Sequence, residues 1–500
     1  MPVPSEHAKE PRAALRYWMQ RVLREARLTA RDPSSDSVHD LRVALRRCRS
    51  LASGLAGVDS AFSWNAVRKA SRKLFRRLGE LRDLQVLQEW NTRLADENDP
   101  ARQSLAEVLS SREPELKDQV ARSLEIFDRR QWLLWSCTFS ERARRLPLDG
   151  LVAQHLALEQ WEAARVLHRR ALRNRNPSSW HALRIGIKRF RYTVENFLPA
   201  RHAEWGEHLK RIQDLLGEVH DLDVLSTVLP EAGPVLDESA AHRWHAAIDR
   251  ERTLRLDEYR VLMGGRKSLW NVWRAGLPEG ERLEAAALAK LTLWASGLDP
   301  DAAHSRQVAR LALELFDGLA AAGFNGTLGM PRARVLLHAA SLLHNVGRSE
   351  TAKGHHKAAY RLIAGLNPPL GWSKDDLARV AVTARYHCGA EPRAKHKTYA
   401  ALAPDAQSMV RTLAGILRIA DALDEAHSGA VRRIEVRSNP DYLLIRAAGW
   451  EESEQNAAIL GGRKHLLESA LARPIIVRAA PVREPAVVTR ITPRGAAVAD

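Results

Sequence analysis

The chain runs to 500 residues, 45% hydrophobic and 27% charged, with 77 Lys and Arg against 60 Asp and Glu and a formal net charge of +17. That length suits roughly two to four domains with sizeable cores, and so basic a balance points to a polyanionic partner: nucleic acid, anionic membrane or phosphate polymer. Three cysteines (Cys48, Cys137, Cys388) without a CxxC spacing exclude a disulfide framework and a cysteine-type zinc site.

The opening Met1-Pro-Val-Pro-Ser-Glu-His7 forms no apolar leader and no run of about 18 apolar residues occurs, so a soluble, cytoplasmic protein is expected. Residues 1–285 hold 49 Lys and Arg against 40 Asp and Glu, and the remainder holds 28 against 20, so both parts are basic. Of the 77 cations 63 are Arg. A guanidinium grips phosphate oxygens in pairs, although Arg-rich codon usage gives the same excess.

In chain order, residues 11–28 read as an amphipathic helix, and a turn at Asp32-Pro-Ser-Ser35 leads into His39-Asp-Leu-Arg42-Val-Ala-Leu-Arg46-Arg-Cys-Arg49. That segment returns as His181-Ala-Leu-Arg184-Ile-Gly-Ile-Lys188-Arg-Phe-Arg191. In both copies a His is followed by cations at +3, +7 and +10, which share one helical face. Leu41, Ala44, Leu45 and Cys48 fill the opposite face of the first copy, as Leu183, Ile187 and Phe190 do in the second. A charged outer face is ordinarily only solvated. These rows lack interleaved acids, so their charges repel at helical spacing, and a neutralising anion is the better account.

Residues 64–90 read as one long helix, with Arg68, Lys69, Arg72, Lys73, Arg76 and Arg77 opposite Val67, Leu74, Leu78 and Leu81. Its end, Leu78-Gly-Glu80-Leu-Arg-Asp83-Leu-Gln-Val-Leu87, recurs as Leu216-Gly-Glu218-Val-His-Asp221-Leu-Asp-Val-Leu225. The offsets are 142 for the first motif and 138 for the second, as a loop indel would leave. Duplication of this length predicts two similar helical bundles related by a pseudo-twofold. Glu80, Asp83, Glu218 and Asp221 read as partners of neighbouring Arg side chains rather than as metal ligands.

The paired motifs resemble the CHAD family, a helical domain named for its histidines, over roughly residues 8–280. The resemblance implies a basic all-helical module that binds inorganic polyphosphate without catalysis of its own. The chain-binding residues are then His39, Arg42, Arg46, Arg49, Arg72, Arg76, His181, Arg184, Lys188 and Arg191. Glu113-Pro-Glu115-Leu-Lys117 matches a triphosphate-tunnel string by accident, since Pro114 suits the start of a helix. Gly264-Gly265, Pro278 and Gly280 mark residues 262–281 as a boundary. The expected domains are 8–285, with repeats over about 8–145 and 150–285, and 286–480. The Pro-, Arg- and Ala-rich tail from Pro481 reads as disordered.

Beyond the boundary, His304, His344-Asn345, His355-His356 and Asp421 follow in the order by which an HD phosphohydrolase holds one or two divalent ions that activate water. Asn345 stands where a second carboxylate would bridge metals, so one anionic ligand is lost. Strands are expected at Arg433–Arg437, Tyr442–Arg446 and Ile475–Arg478.

Leu343-His-Asn-Val-Gly347, Gly354-His-His-Lys-Ala-Ala-Tyr360, Ala384-Arg-Tyr-His387 and Leu417-Arg-Ile-Ala-Asp-Ala-Leu-Asp424 resemble the C-terminal HD-like domain of the exopolyphosphatase/guanosine-pentaphosphatase (Ppx/GppA) family. In that family catalysis belongs to an actin-like domain, whose place the CHAD-like half takes here. The resemblance implies a chain-binding surface at His355, His356, Lys357, Arg385, His387 and Arg418, with Arg393, Lys395 and His396 nearby.

The whole reads as mainly α: duplicated helical bundles, then an HD-like helical domain with a small β element. Inorganic polyphosphate is the expected partner, with no membrane, with nucleic acid disfavoured for want of exposed aromatics, and with oligomers formed through the HD-like half. Association with polyphosphate granules follows. No cofactor is required. Mg²⁺ or Mn²⁺ at His304, His344, Asn345 and Asp421 belongs to the rival reading, a metal-dependent phosphohydrolase whose catalytic residues would be His304, His344 and Asp421.

Overall fold

A computed structural model describes residues 11–59 and 63–481, so the expected domain start at residue 8 and the tail beyond Pro481 lie outside the described residues. The chain divides into two compact units, one ending at Gly297 and joined by 369–371, the other comprising 298–368 and the residues from Trp372.

Twelve α-helices build the described part of the first unit: α1 (Pro11–Arg31), α2 (Ser35–Ala56), α3 (Asn65–Ala70), α4 (Arg72–Leu94), α5 (Pro100–Glu125), α6 (Arg129–Ala143), α7 (Leu151–Asn174), α8 (Pro177–Phe197), α9 (Pro199–Val228), α10 (Glu238–Met263), α11 (Leu269–Ala275) and α12 (Gly280–Ala295). The two motif helices are α2 and α8. Each has a side-chain cap, since Ser34 accepts from Ser37 N and Asn176 from Ser179 N, satisfying amide donors that the first turn leaves free. Their apolar stripes are buried, from Leu41 to Leu45 in one and from Leu183 to Phe190 in the other. Gly186 lets α7 approach α8, because a Cβ there would stand 2.8 Å from Leu167 Cδ1.

The duplication is visible in the packing. Contacts α1–α2, α2–α4 and α4–α5 recur as α7–α8, α8–α9 and α9–α10, while α2 packs on α8 and α4 on α9. Equivalent elements meeting one another is what a twofold relation requires.

Three expectations are corrected here. Residues 64–90 are not one helix, because it breaks between α3 and α4 at buried Ser71, whose Oγ donates to Val67 O at 2.6 Å. Such back-bonding bends helices. Pro114 lies well inside α5 rather than at its start. Residues 262–281 are not a free linker, because part of them packs into the first unit. Trp270 and Trp273 of α11 are fully buried, and α12 packs on α7, so the division falls after Gly297 instead of after 285.

The second unit contains α13 (Ala302–Ala321), α14 (Asn325–Leu328), α15 (Ala333–Leu343), α16 (His355–Ala364), α17 (Lys374–Arg385), α18 (Lys397–Ala400), α19 (Pro404–Ala422) and α20 (Glu454–Leu471). Strands β1 (Arg433–Ser438), β2 (Leu443–Ala448) and β3 (Ile475–Ala480) form one sheet in that order. The first pair is antiparallel and the second parallel. Helix α19 is buried nearly all round, and α13, α15, α17 and α20 pack against it. Mainly helical architecture with a small sheet is as expected. Among the described residues no helix is long and apolar enough to cross a membrane.

Candidate functional site

Where α2 meets α8, the cations of the two motifs crowd together. Lys188 is pushed down to about 7 by burial and then by Arg184, Arg42 and Arg46, against which Asp221 pulls only weakly. Burial, and neighbours including Arg42 and Arg47, lower Arg46 too. Asp221 is itself raised to about 6 by burial, with Arg184 and Lys188 opposing that rise and Asp83 and Glu218 adding to it. The Nε atoms of Arg42, Arg46, Arg184 and Arg191 are buried without a hydrogen-bond partner. Buried unpaired donors are costly, so this cluster carries unfavourable electrostatics of the kind an anion would offset.

Aromatic faces support the row. Arg42 and Arg49 both lie over Phe75, at 5.7 and 4.8 Å from its centroid, and Arg46 lies over Tyr192 at 5.5 Å. Arg49 also donates to Arg68 O at 2.6 Å and to Ser71 Oγ at 3.0 Å, which ties α2 to the break between α3 and α4. A cavity of about 490 Å³ opens beside Arg46, Arg49, Arg68, Arg189, Phe75 and Tyr192. Arg72 and Arg76 are exposed on α4. His39 and His181 are exposed at the ends of the rows. Burial, then Arg82 and Arg46, lowers the first below its ordinary value. Burial, then Arg184 and Lys188, lowers the second, and His181 faces His220 at 3.2 Å. Two of the four acids pair with Arg as expected: Glu80 accepts from Arg77 at 2.6 Å and Glu218 from Arg255 at 2.7 Å.

In the second unit α13, α15 and α19 bring His304, His344 and Asp421 together. His304 Nδ1 lies 2.8 Å from Asp424 Oδ2 and its Nε2 lies 3.3 Å from Asp421 Oδ1. Burial disfavours charge on this ring, yet the two carboxylates outweigh burial and raise it to about 9. His304 is therefore an internal imidazolium. Asp421 stays ionised, well below the carboxylate range, because His304 and His344 overcome the cost of its burial. His344 Nδ1 donates to Ser341 O at 2.7 Å, and its buried Nε2 has no hydrogen-bond partner, standing 3.5 Å from Asp421 Oδ1.

Residues 13–230 match the family model of the CHAD domain, and residues 294–453 match that of Ppx/GppA phosphatase, domain III. The chain joins a CHAD domain to a Ppx/GppA domain III. No curated protein matches it.

The side chain at Asn345 bears on whether this domain III holds the divalent ion of an HD site. Asn345 is buried, and its Oδ1 accepts from Arg348 Nε at 3.0 Å. The carboxamide thus faces a guanidinium, and Asp421, the carboxylate of the trio, is already shared with the His304 imidazolium. Mg²⁺ and Mn²⁺ favour oxygen-rich sites with several carboxylates or waters. The donor set at His304, His344, Asn345 and Asp421 does not fit them.

The chain-binding residues expected in domain III divide. His356 and exposed Lys357 lie at the start of α16 near Arg385, which stands over Tyr360 and Tyr386 with its Nε unpaired. Arg418 does not join them. It is buried, with Nε donating to Tyr386 O at 2.7 Å and Nη2 to Gly389 O at 2.8 Å and Ala390 O at 3.2 Å. It holds the turn after α17. His396 is also committed, bonded to Tyr386 OH at 3.0 Å and Arg393 N at 3.3 Å. His387 is buried and faces His355.

Sequence reading missed Phe75 and Tyr192, which look like ordinary stripe residues. It also missed the recurrence of Trp132 and Trp135 of α6 as Trp270 and Trp273, although their offset, 138, equals that of the Leu-Gly-Glu segments.

Proposed function

We propose that this protein binds inorganic polyphosphate through the cationic junction of α2 and α8, with the His356, Lys357 and Arg385 patch of domain III as a second contact for the chain. The carrying observation is Lys188. A lysine pushed down to about 7 among Arg42, Arg46 and Arg184 marks a place where positive charge exceeds what the protein itself neutralises. A flexible polyanion supplies the missing charge and acceptors for the unpaired guanidinium Nε atoms. The match to two domain types associated with polyphosphate chemistry supports the choice of ligand. Hydrolysis is disfavoured by Asn345, which gives an HD-type site a carboxamide in place of a second carboxylate and whose oxygen accepts from Arg348. Localisation to polyphosphate granules follows from such binding.

The test is retention of the purified protein on immobilised polyphosphate, with competition by free polyphosphate, heparin and DNA. Release by polyphosphate well below the charge-equivalent concentration of heparin or DNA is expected, with affinity falling steeply as salt rises. Equal competition by all three would reduce the site to a general polyanion binder, and absence of retention would refute the reading.

A further inference from the structure

We propose that Lys188 is a modification site for carbon dioxide, its Nζ forming a carbamate that Arg42, Arg46 and Arg184 neutralise, and that this adduct shuts the cationic junction to phosphate chains. The second half rests on the polyphosphate reading, and the first does not.

The duplication singles this residue out. Arg42 and Arg46 of α2 correspond to Arg184 and Lys188 of α8, so three equivalent junction positions carry Arg and one carries Lys. A guanidinium is a permanent cation without a nucleophilic lone pair, whereas an amine that loses its proton gains one. Attraction for an anion is met by Arg at the equivalent position, so the amine offers something further.

Its surroundings suit an anion attached to the lysine itself. Lys188 stands one helical turn after Arg184 and one turn before Tyr192, on the same face of α8. Across the junction Arg46 lies over the Tyr192 ring, 5.5 Å from its centroid, which brings the α2 row against that face. The Nε atoms of Arg42, Arg46 and Arg184 and the hydroxyl of Tyr192 are buried without a hydrogen-bond partner. Lys188 likewise has no hydrogen bond or ion pair among the described residues. It is only half-buried, so a small neutral molecule reaches it.

Electrostatics supplies the reactive form. Burial, then Arg184, Arg42 and Arg46, hold the lysine at about 7, with Asp221 of α9 opposing them. Asp83 of α4 and Glu218 act on Asp221 in turn. Near pH 7.4 most of such an amine is neutral, against about one part in a thousand of an ordinary lysine. The neutral Nζ attacks the carbon of carbon dioxide. An N–C bond forms, one C=O electron pair moves onto oxygen, and one N–H proton leaves to water. The product is a carboxylate-like group, the kind of anion that guanidinium pairs with best. An ammonium has become an anion, so a phosphate chain meets a junction that already holds its own counter-charge.

The test equilibrates the full-length protein with ¹³C-labelled carbon dioxide and bicarbonate at fixed pH and ionic strength. Carbamate is read by ¹³C NMR, then trapped by O-alkylation and mapped by peptide mass spectrometry. The expected result is one dominant adduct, on Lys188, that disappears when carbon dioxide is removed. Lys188→Arg, which copies the residue at the equivalent position, should lose the adduct and keep its circular dichroism. Retention on immobilised polyphosphate, measured in parallel, should weaken by about threefold or more with carbon dioxide in the wild type and stay unchanged in the variant. No adduct, or one no more abundant at Lys188 than at exposed Lys357, overturns the proposal and leaves the polyphosphate reading standing. An adduct on Lys188 without retention under either gas refutes the polyphosphate reading and supports the modification site alone. An adduct that leaves retention unchanged overturns the closing of the junction.

Discussion

Arg348 donates its Nε to the side-chain oxygen of Asn345 at 3.0 Å, so the side chain standing where an HD site has a carboxylate is already engaged by a guanidinium. Restoring the carboxylate alone creates an ion pair before it creates a metal ligand. Asn345→Asp is expected to tighten Mn²⁺ binding by no more than about twofold. Combined with Arg348→Ala it should tighten by about tenfold or more, equivalent to about 1.4 kcal/mol. Calorimetric titration of the two variants checks this, and equal affinities would show that Arg348 does not compete.

Changing Arg42, Arg46, Arg184 and Lys188 together to Gln should abolish retention on polyphosphate while raising thermal stability. Relieving crowded like charges favours the folded state, whereas removing the same charges removes the ligand's attraction. Melting temperature and binding should therefore move in opposite directions. A quadruple variant that binds as the wild type does would refute the assignment.

Lys188 gives the pH dependence its sign. Its folded value of about 7 lies far below the about 10.4 of an unfolded lysine. The unfolded chain binds more protons between those values, so stability should rise with pH across that window. Binding runs the other way, because a polyanion favours protonated lysine, and affinity should fall from pH 6 to 8. Lys188→Met should flatten both profiles. His39 and His181 are lowered from their ordinary value, so replacing them with Gln should change the affinity profile chiefly below pH 6.5.

His304 contributes with the opposite slope. Its folded value is raised to about 9, so its stabilisation is complete below about 6.5 and disappears as pH rises through 9. His304→Gln should remove that decline and cost about 3–5 kcal/mol at neutral pH, because two buried carboxylates lose their partner. Urea titrations at several pH values measure both effects.

Arg418→Ala should destabilise domain III by about 3 kcal/mol through three orphaned carbonyls, with no loss of polyphosphate affinity in protein that remains folded. A loss of affinity at unchanged stability would return Arg418 to the binding surface.

Much of the fold was legible because helical periodicity repeats. The buried stripes from Leu41 to Cys48 and from Leu183 to Phe190 lie where spacing put them, and local patterns decide such faces. The break at Ser71 was not legible, since it depends on a side-chain bond to Val67 O that composition does not encode. Arg418 shows a related limit. A cation among apolar residues reads equally well as a ligand site or as a clamp for carbonyls, and only the position of Tyr386 O and its neighbours decides. Pairing of His355 with His387 was equally hidden, because their helices come together through packing.

The packing of α2 on α8 and of α4 on α9 has a consequence for what can be read along the ligand. Nucleic acids and polypeptides have distinct ends, and a receptor that repeats itself about a twofold meets them once in the right sense and once reversed. A linear phosphate polymer is the same in both directions, so both halves of such a receptor are satisfied by one strand. Every displacement by one phosphate also restores the same contacts. A strand ten times longer thus offers about ten times as many equivalent placements, worth about 1.4 kcal/mol per strand, without a single added contact.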